Sequence, residues 1–403
     1  KVLAIEPEHA GASALHDRAL QHVGSCLTVR VSGRGLLPET ASVQVDGRPV
    51  GAGSGANVPM VVGQTVRICA VAPPRGQRRY RPFRTTYRLE TPGRETVDIR
   101  LTSVVLPPDL VPVWDPAPTR MKDEPPAARQ ARDRQRRYAV RTGLPLEVTG
   151  RKSGIRFRLI PPGTYRMGSA NGSPDERPVR SVELTQGLYA AVTEVTQEQW
   201  MTVMGENPSE YRRSGPQAPV QNVSWEACRA FCRKLNRLEG LSSDTIRLPT
   251  EAEWEYLCRA GAAGPFHWRA ARKKRSGLGF PWFAGGSRDA QHLAWQTDGL
   301  LPAGSFPPNA WGLHDLHGSV WEWCADWYAP DTYRLSAVDP AGPSIGKQRV
   351  LRGGSWMSPD LIDCRASNRG RSKPGDRRSS VGFRVVRTVP PRDPQIASTT
   401  SAP

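Results

Sequence analysis

Apolar and polar residues alternate along the first quarter of the chain. Leu27-Thr-Val-Arg-Val31, Ser42-Val-Gln-Val45 and Thr65-Val-Arg-Ile-Cys-Ala-Val71 put an apolar side chain at nearly every second position, and 87–89 and 97–101 continue the pattern. A period of two gives each strand one face in a core and one in water. Asp46-Gly47 supplies a turn, because glycine accepts a positive φ without a Cβ clash. Residues 24–102 therefore read as a small antiparallel β-sandwich, preceded by an N-terminal segment, 1–23.

The alternation then stops. Pro107, Pro108, Pro112, Pro116, Pro118, Pro125 and Pro126 keep the backbone extended, so 103–150 reads as a basic, proline-rich linker. Within it, 127–138 is a candidate short basic helix. From 151 to 387 the pattern changes again. Arg156-Phe-Arg-Leu-Ile160 reads as a strand ended by Pro161-Pro-Gly163. Thr196-Gln-Glu-Gln199 and Thr250-Glu-Ala-Glu253 are capping boxes, in which the hydroxyl and the amide or acid three residues on cover orphan N–H groups. Ser224 caps a third helix to about Leu238, with Ala227, Phe231 and Leu235 on one stripe. The Thr250 helix should stop at Gly261. Beyond it no helix is expected, only short strands near 349–351 and 382–386, so aromatic packing and cross-chain hydrogen bonds must hold that part. Residues 388–403 read as a disordered tail.

Composition sharpens this division. Lys+Arg less Asp+Glu is 56 − 38, a net charge of +18 over 403 residues. Gly and Pro together make 38 + 38 residues, which fits a loop-rich chain and excludes a coiled coil. No run approaches the ~18 apolar residues of a membrane-spanning helix. Lys1 is not followed by a charged-then-apolar leader, which reads as a processed form. Seven cysteines without a CxxC exclude a zinc ribbon and a thioredoxin site, and fit an oxidising compartment without requiring it. Eleven of the twelve tryptophans fall between Trp200 and Trp356, so the two halves are built differently.

Long motifs run in order through the second half: Ile160-Pro-Pro-Gly-Thr-Tyr-Arg-Met-Gly-Ser169, Thr193-Glu-Val-Thr-Gln-Glu-Gln-Trp200, Pro219-Val-Gln-Asn-Val-Ser-Trp225, Arg247-Leu-Pro-Thr-Glu-Ala-Glu-Trp-Glu-Tyr256, Asn309-Ala-Trp-Gly-Leu313, Gly318-Ser-Val-Trp-Glu-Trp323, Arg352-Gly-Gly-Ser-Trp356 and Gly382-Phe-Arg384. In these, 151–387 resembles the formylglycine-generating enzyme (sulfatase-modifying factor) family. The resemblance implies an α+β, C-type-lectin-like domain with little regular secondary structure. The shorter Val45-Asp-Gly-Arg-Pro-Val-Gly51 pattern resembles a PEGA-type β-module.

What the resemblance implies about chemistry is divided. Members hold copper(I) through two cysteines soon after Arg-Gly-Gly-Ser, because soft thiolates select that metal. Here Ser358 stands at the first position, 361–363 cover the second, and Cys364 is the sole nearby thiol, so no copper is expected. The histidines make no His-x3-His-x-Glu set for non-haem iron, and His314 and His317 read as packing residues. A calcium loop does carry over: Asp315, Gly318, Val320 and Glu322 supply two carboxylates and two carbonyls, as a hard cation requires. The alternative is that the carboxylates bond the loop's own N–H groups. A disulfide between Cys258 and Cys364 is weighed against two independent buried thiols.

Trp356, Ser358, Asp360, Asp363, Arg365, Asn368, Arg371 and Arg377 line the segment corresponding to the family's groove, and read as ligand-binding residues rather than mere cover for the core. The leading expectation is a non-catalytic, extracytoplasmic protein that contacts a protein or glycan partner. A metal-dependent oxidoreductase of the same family and a retroelement-diversified receptor are the alternatives. The basic runs Arg129–Arg137 and Arg272–Arg275 read as solvated segments, with an anionic partner as the other option. Nucleic acid is not expected, since the aromatics are not interleaved with the arginines.

Overall fold

The computed structural model describes residues 109–113, 125–267, 300–334, 337–358 and 360–389, and the backbone of the strands before 106. The segment 1–23, the Asp46-Gly47 turn, the Arg272–Arg275 run and the tail past 389 lie outside the described residues. The chain divides into two units, Lys1–Pro108 with Asp393–Pro403, and Asp109–Arg392.

In the first unit the alternating segments are strands: β1 (Cys26–Ser32), β2 (Ser42–Val45), β3 (Arg48–Ala52), β4 (Ala56–Pro59), β5 (Thr65–Val71), β6 (Arg78–Tyr80), β7 (Phe83–Arg88), β8 (Arg94–Arg100) and β9 (Ser103–Val105). They form the sheets β4-β1-β8, β3-β2-β5-β7 and β6-β9. One pairing departs from the antiparallel expectation. β1 and β8 run parallel, from Cys26↔Arg94 to Ser32↔Arg100. A tight turn cannot join parallel neighbours, and here the intervening strands provide the crossover.

The second unit starts inside the stretch read as linker. β10 (Leu110–Val113) pairs antiparallel with β11 (Glu147–Gly150). Between them α1 (Pro126–Thr142) buries Ala128, Ala131, Gln135 and Ala139. The Gln135 amide donates to the carbonyls of Leu159 (2.8 Å) and Trp311 (3.2 Å), and the Trp311 indole donates to the Ala131 carbonyl at 3.2 Å. The linker reading of 103–150 is corrected accordingly: a stripe of alanines at helical spacing is apolar enough to dock, and the surrounding arginines masked it.

The remaining elements follow in order: β12 (Arg156–Ile160), β13 (Gly163–Met167), β14 (Arg180–Leu184), β15 (Leu188–Ala191), α2 (Gln197–Met204), α3 (Trp225–Glu239), β16 (Ile246–Arg247), α4 (Glu251–Arg259), β17 (Trp321–Trp327), β18 (Arg349–Arg352), β19 (Gly370–Ser372), β20 (Val381–Gly382) and β21 (Val386–Thr388). One sheet runs β10-β11-β12-β15-β21-β16, and another β19-β18-β17-β20. Thr388, at the start of the stretch read as a tail, pairs with Leu188. Both capping boxes form, with Gln199 N–H on the Thr196 hydroxyl at 3.2 Å and Glu253 N–H on the Thr250 hydroxyl at 3.1 Å. Ser224 caps α3 through Ala227 N–H at 3.2 Å.

From residue 300 onward the described residues contain no α-helix. Indole donors take over the role of ladders. Trp225 donates to the Cys324 carbonyl and Trp323 to the Val223 carbonyl, both at 2.9 Å, and Trp254 donates to Glu322 at 2.7 Å. Each of these bonds joins segments far apart in sequence, so the irregular half is cross-braced as its composition demanded.

Candidate functional site

The groove segment leaves β18 through two glycines in left-handed backbone. At Gly354, φ is +73°, and a Cβ would meet the Cys364 sulfur at 2.6 Å. Glycine is required there on both counts. A tight turn follows: Ser355 N–H donates to the Ser358 hydroxyl at 3.0 Å, and Ser358 N–H returns to the Ser355 carbonyl at 2.9 Å. Asp360 caps the next short helix through Ile362 N–H at 3.0 Å. The Asn368 amide then ties the turn down on the Asp363 carbonyl at 2.8 Å.

This arrangement separates the predicted groove residues. Ser358 is buried, and its hydroxyl is taken up by the turn. Trp356 is half-buried, edge-on to Tyr211 with ring centroids 5.1 Å apart. Met357 and Ile362 stand out at 51% and 55% exposure, so the free surface of this segment is apolar with Asp360 and Asp363 beside it. Neither Met357 nor Ile362 was among the predicted residues; the pattern that should have pointed to them is an apolar residue within a run of capping and turn residues. Arg365 is drawn away into a forked pair with Glu176, at 2.7 and 2.8 Å. Arg371 lies farther on, donating to the Tyr328 hydroxyl at 2.8 Å with its guanidinium 4.6 Å from that ring. There it helps line an open cleft of about 460 Å3 with Ser173, Asp175, Arg177, Asp331 and Arg369. Arg377 is exposed beyond β19.

Cys258 and Cys364 are both free and buried, so the disulfide option is corrected. The His317 ring contacts both residues. Its Nδ1 lies 2.6 Å from the Cys364 carbonyl and its Nε2 lies 3.4 Å from the Cys258 sulfur. A carbonyl only accepts, so Nδ1 carries the proton and Nε2 faces the thiol. Burial pushes His317 down to about 4 and the Cys364 thiol up to about 12, and raises Cys258 as well. The three groups are neutral, and neither thiol is a ready nucleophile or thiolate ligand.

The predicted calcium loop has a split character. Asp315 and Ser319 both take positive φ, +59° and +61°, so the chain is tightly coiled there. Val320 is buried against Ala218 and Leu300. The Gly318 N–H donates to the Gly353 carbonyl at 2.8 Å, and the Ser319 carbonyl accepts from Trp356 N–H at 2.7 Å. The loop therefore directly supports the groove turn. Glu322 is already saturated: Arg384 grips both its oxygens at 2.6 Å, and Trp254 donates a third bond. Asp315 has one oxygen on Gly304 N–H, while Oδ1 is buried without a partner.

Sequence reasoning missed Glu194, which lies in the quoted Thr193-Glu-Val-Thr motif. It is 0% exposed, and neither carboxylate oxygen has a hydrogen bond of good geometry among the described residues, although the Ser319 hydroxyl beside it acts to lower its pKa. Burial and then the nearby Asp315 raise its pKa. Glu194, Asp315 and Glu322 thus share one arginine, Arg384. A buried excess of carboxylate with three bare oxygens fits a hard cation. It fits with Glu194 and Asp315 as the donors, and with Glu322 reserved for Arg384. Among the described residues no three His, Cys, Asp or Glu side chains converge on a metal position, so such an ion would rely on backbone carbonyls as well.

The family described as the sulfatase-modifying factor enzyme 1-like domain matches residues 147–389. The chain belongs to this family. Bovine formylglycine-generating enzyme is 32% identical over 209 residues, covering 46% of this chain and 50% of that protein. The serine/threonine-protein kinase pkn1 of Chlamydia pneumoniae is 32% identical over 258 residues, covering 57% of this chain and 38% of its own length. The mouse "Inactive C-alpha-formylglycine-generating enzyme 2" is 35% identical over 179 residues, covering 42% and 48%. The chain therefore spans 38% to 50% of each of these relatives. Among solved structures, Treponema denticola variable protein 1 matches with a TM-score of 0.51 and 28% identity, over 58% of this chain and 95% of that one. PvdO from Pseudomonas aeruginosa matches with a TM-score of 0.51 and 26% identity, over 59% and 96%. The C-type-lectin-like fold expected from the motifs is the fold observed.

Proposed function

We propose that this chain is a recognition protein that uses a formylglycine-enzyme-like frame without the copper chemistry. The observation that carries the reading is the pair Ser358 and Cys364. The first thiolate position holds a buried hydroxyl that accepts Ser355 N–H and bonds the Cys364 thiol, and that thiol is buried and neutral. Two soft anionic donors cannot be assembled from these groups. The mouse relative described as inactive supports the view that the frame persists without the activity.

The contact surface is the apolar ledge of Trp356, Met357 and Ile362 edged by Asp360 and Asp363. An exposed apolar patch with a polar edge, held on a rigid core, marks an interaction site. It suits a protein partner better than a glycan, since its exposed side chains are the apolar Met357 and Ile362. Calcium held by Asp315 and Glu194 braces the loop beneath, and reaches the ledge through the Ser319–Trp356 hydrogen bond.

The experiment offers the full chain, reconstituted with copper(I) under oxygen, a peptide containing the cysteine that formylglycine enzymes oxidise. No aldehyde should form, measured by mass. Aldehyde formation, or tight stoichiometric copper, ends the reading in favour of an oxidoreductase. In parallel, partners cross-linked to the intact chain should be lost from a Met357→Asp/Ile362→Asp variant, and equal recovery would remove the ledge assignment.

A further inference from the structure

We propose that the exposed face of α1 is a docking surface for an acidic segment of a partner protein that carries an apolar side chain among its carboxylates. The helix lies before the family-matched residues, so nothing in the family's activity explains it. It has six arginines and one acid, Asp133. The buried stripe fixes the helix on the core, and the Gln135 and Trp311 hydrogen bonds lock its rotation, so its outward face is rigid. That face exposes Arg129, Arg136, Arg137 and Arg141. None of the four makes an ion pair among the described residues, and Arg141 alone has a contact, its guanidinium 5.5 Å from the Tyr138 ring.

Charge alone would suit any polyanion, but two observations choose between them. Val140 is 67% exposed and sits one turn from Arg136 and Arg137 on the same side of the helix. A small apolar knob ringed by guanidiniums matches an apolar side chain flanked by Asp or Glu. A phosphate backbone offers no apolar pocket to receive it, and one small valine buries too little area to anchor the helix in a lipid layer. Secondly, Tyr138 is the helix's one aromatic, and it is turned inward against Gly187, whose added Cβ would meet the Tyr138 hydroxyl at 2.4 Å. No ring is offered for base stacking. The basic groups are arginines throughout, the residue whose planar fork pairs with carboxylates through two parallel hydrogen bonds. Because all four side chains stand on one rigid helix, an acidic helix laid alongside would meet them without ordering a loop.

The test uses the full chain and three probes at two salt concentrations: a fluorescent Glu-rich peptide with one central Leu, vesicles of phosphatidylglycerol with phosphatidylcholine, and an oligothymidylate. The peptide should bind, with affinity falling steeply as salt rises. Arg136→Glu/Arg137→Glu/Arg141→Glu should weaken it by about tenfold or more, the sum of several exposed charge pairs. Val140→Ser should weaken it about threefold without changing the salt dependence. All four positions are exposed, so thermal unfolding should be unchanged, and Arg129→Ala provides a milder check. Equal peptide binding by the charge-reversed chain would overturn the proposal. So would binding of the vesicles or the oligonucleotide in preference to the peptide, which would assign the face to phosphate.

Discussion

Two buried carboxylates, Glu255 and Glu194, mark opposite ways of running this fold. Each is 0% exposed. Glu255 accepts from Arg259 and from Gly168 N–H, both at 2.8 Å, and pairs with Arg352 on its other oxygen. Burial alone would raise its pKa, but the two guanidiniums outweigh it and hold the group below its ordinary value. Glu194 has no such partners, and its pKa rises. The region around α4 and β18 is electrostatically complete, whereas the region around the Asp315 loop is short of positive charge. The first is frame, and the second is where the proposed calcium would supply the missing charge.

The largest effect should come from breaking the complete region. Arg352→Ala removes one of the two guanidiniums on Glu255 and one of the two on Glu251 in the core, and should cost about 3–5 kcal/mol of stability, read by denaturant unfolding. If the loss is under about 1 kcal/mol, the frame reading of this lattice fails. In the incomplete region the sign reverses. Glu194→Gln removes an unpaired buried acid, and in a chelator it should stabilise the protein by about 1–2 kcal/mol. Added calcium should raise the melting temperature of the wild type, by as much as ~2.7 kcal/mol of stability at a hundredfold excess over Kd, and leave Glu194→Gln nearly unmoved. A wild type indifferent to calcium would remove the proposed brace.

A smaller effect separates the regions by pH. Asp326 borders the frame, where it accepts Glu251 N–H at 2.8 Å, yet burial and then Glu251 push it up to about 8. A raised carboxyl binds its proton in the native state. Its contribution is fully present below the unfolded value near 4 and is lost as pH rises through 8. Glu255 works the other way, its contribution being lost as pH falls below its ordinary range. Stability curves of Asp326→Asn against wild type between pH 4 and 8 should therefore diverge, with the variant flatter. Parallel curves would show that Asp326 is not the group responsible.

Much of the frame was legible beforehand. Thr196-x-x-Gln199 and Thr250-x-x-Glu253 write their caps locally, and the tryptophan-rich motifs name residues that turn out to be cross-chain donors. The errors share one cause. The alanine stripe of α1, the parallel β1–β8 pair, and the rivalry of Arg384 for Glu322 are all decided by residues far away in sequence. Ser358 was read as a groove residue from its position after Arg352-Gly-Gly-Ser355, and the structure buries it with its hydroxyl on Ser355 N–H, a bond that composition does not express. Glu194 sits within a quoted motif, and only the burial of its whole neighbourhood shows that its charge is unmet.

The smallest expected effect is none, and it bears on the same contrast. Cys258 lies on α4 in the complete region and Cys364 on the groove segment, and His317 contacts both. If they were joined, a reductant would lower stability by about 2–4 kcal/mol. As neutral buried thiols they should instead be silent. The melting temperature should be the same with and without reductant, and a thiol reagent at pH 8 should label them only at the rate of opening, because the thiolates are suppressed by burial. Replacing His317 by Leu would remove the acceptor facing Cys258 and leave the Cys364 carbonyl unbonded, so labelling of both should quicken together. Labelling of Cys364 alone, with Cys258 still protected, would show that the ring does not couple them and that the groove turn opens independently of the frame.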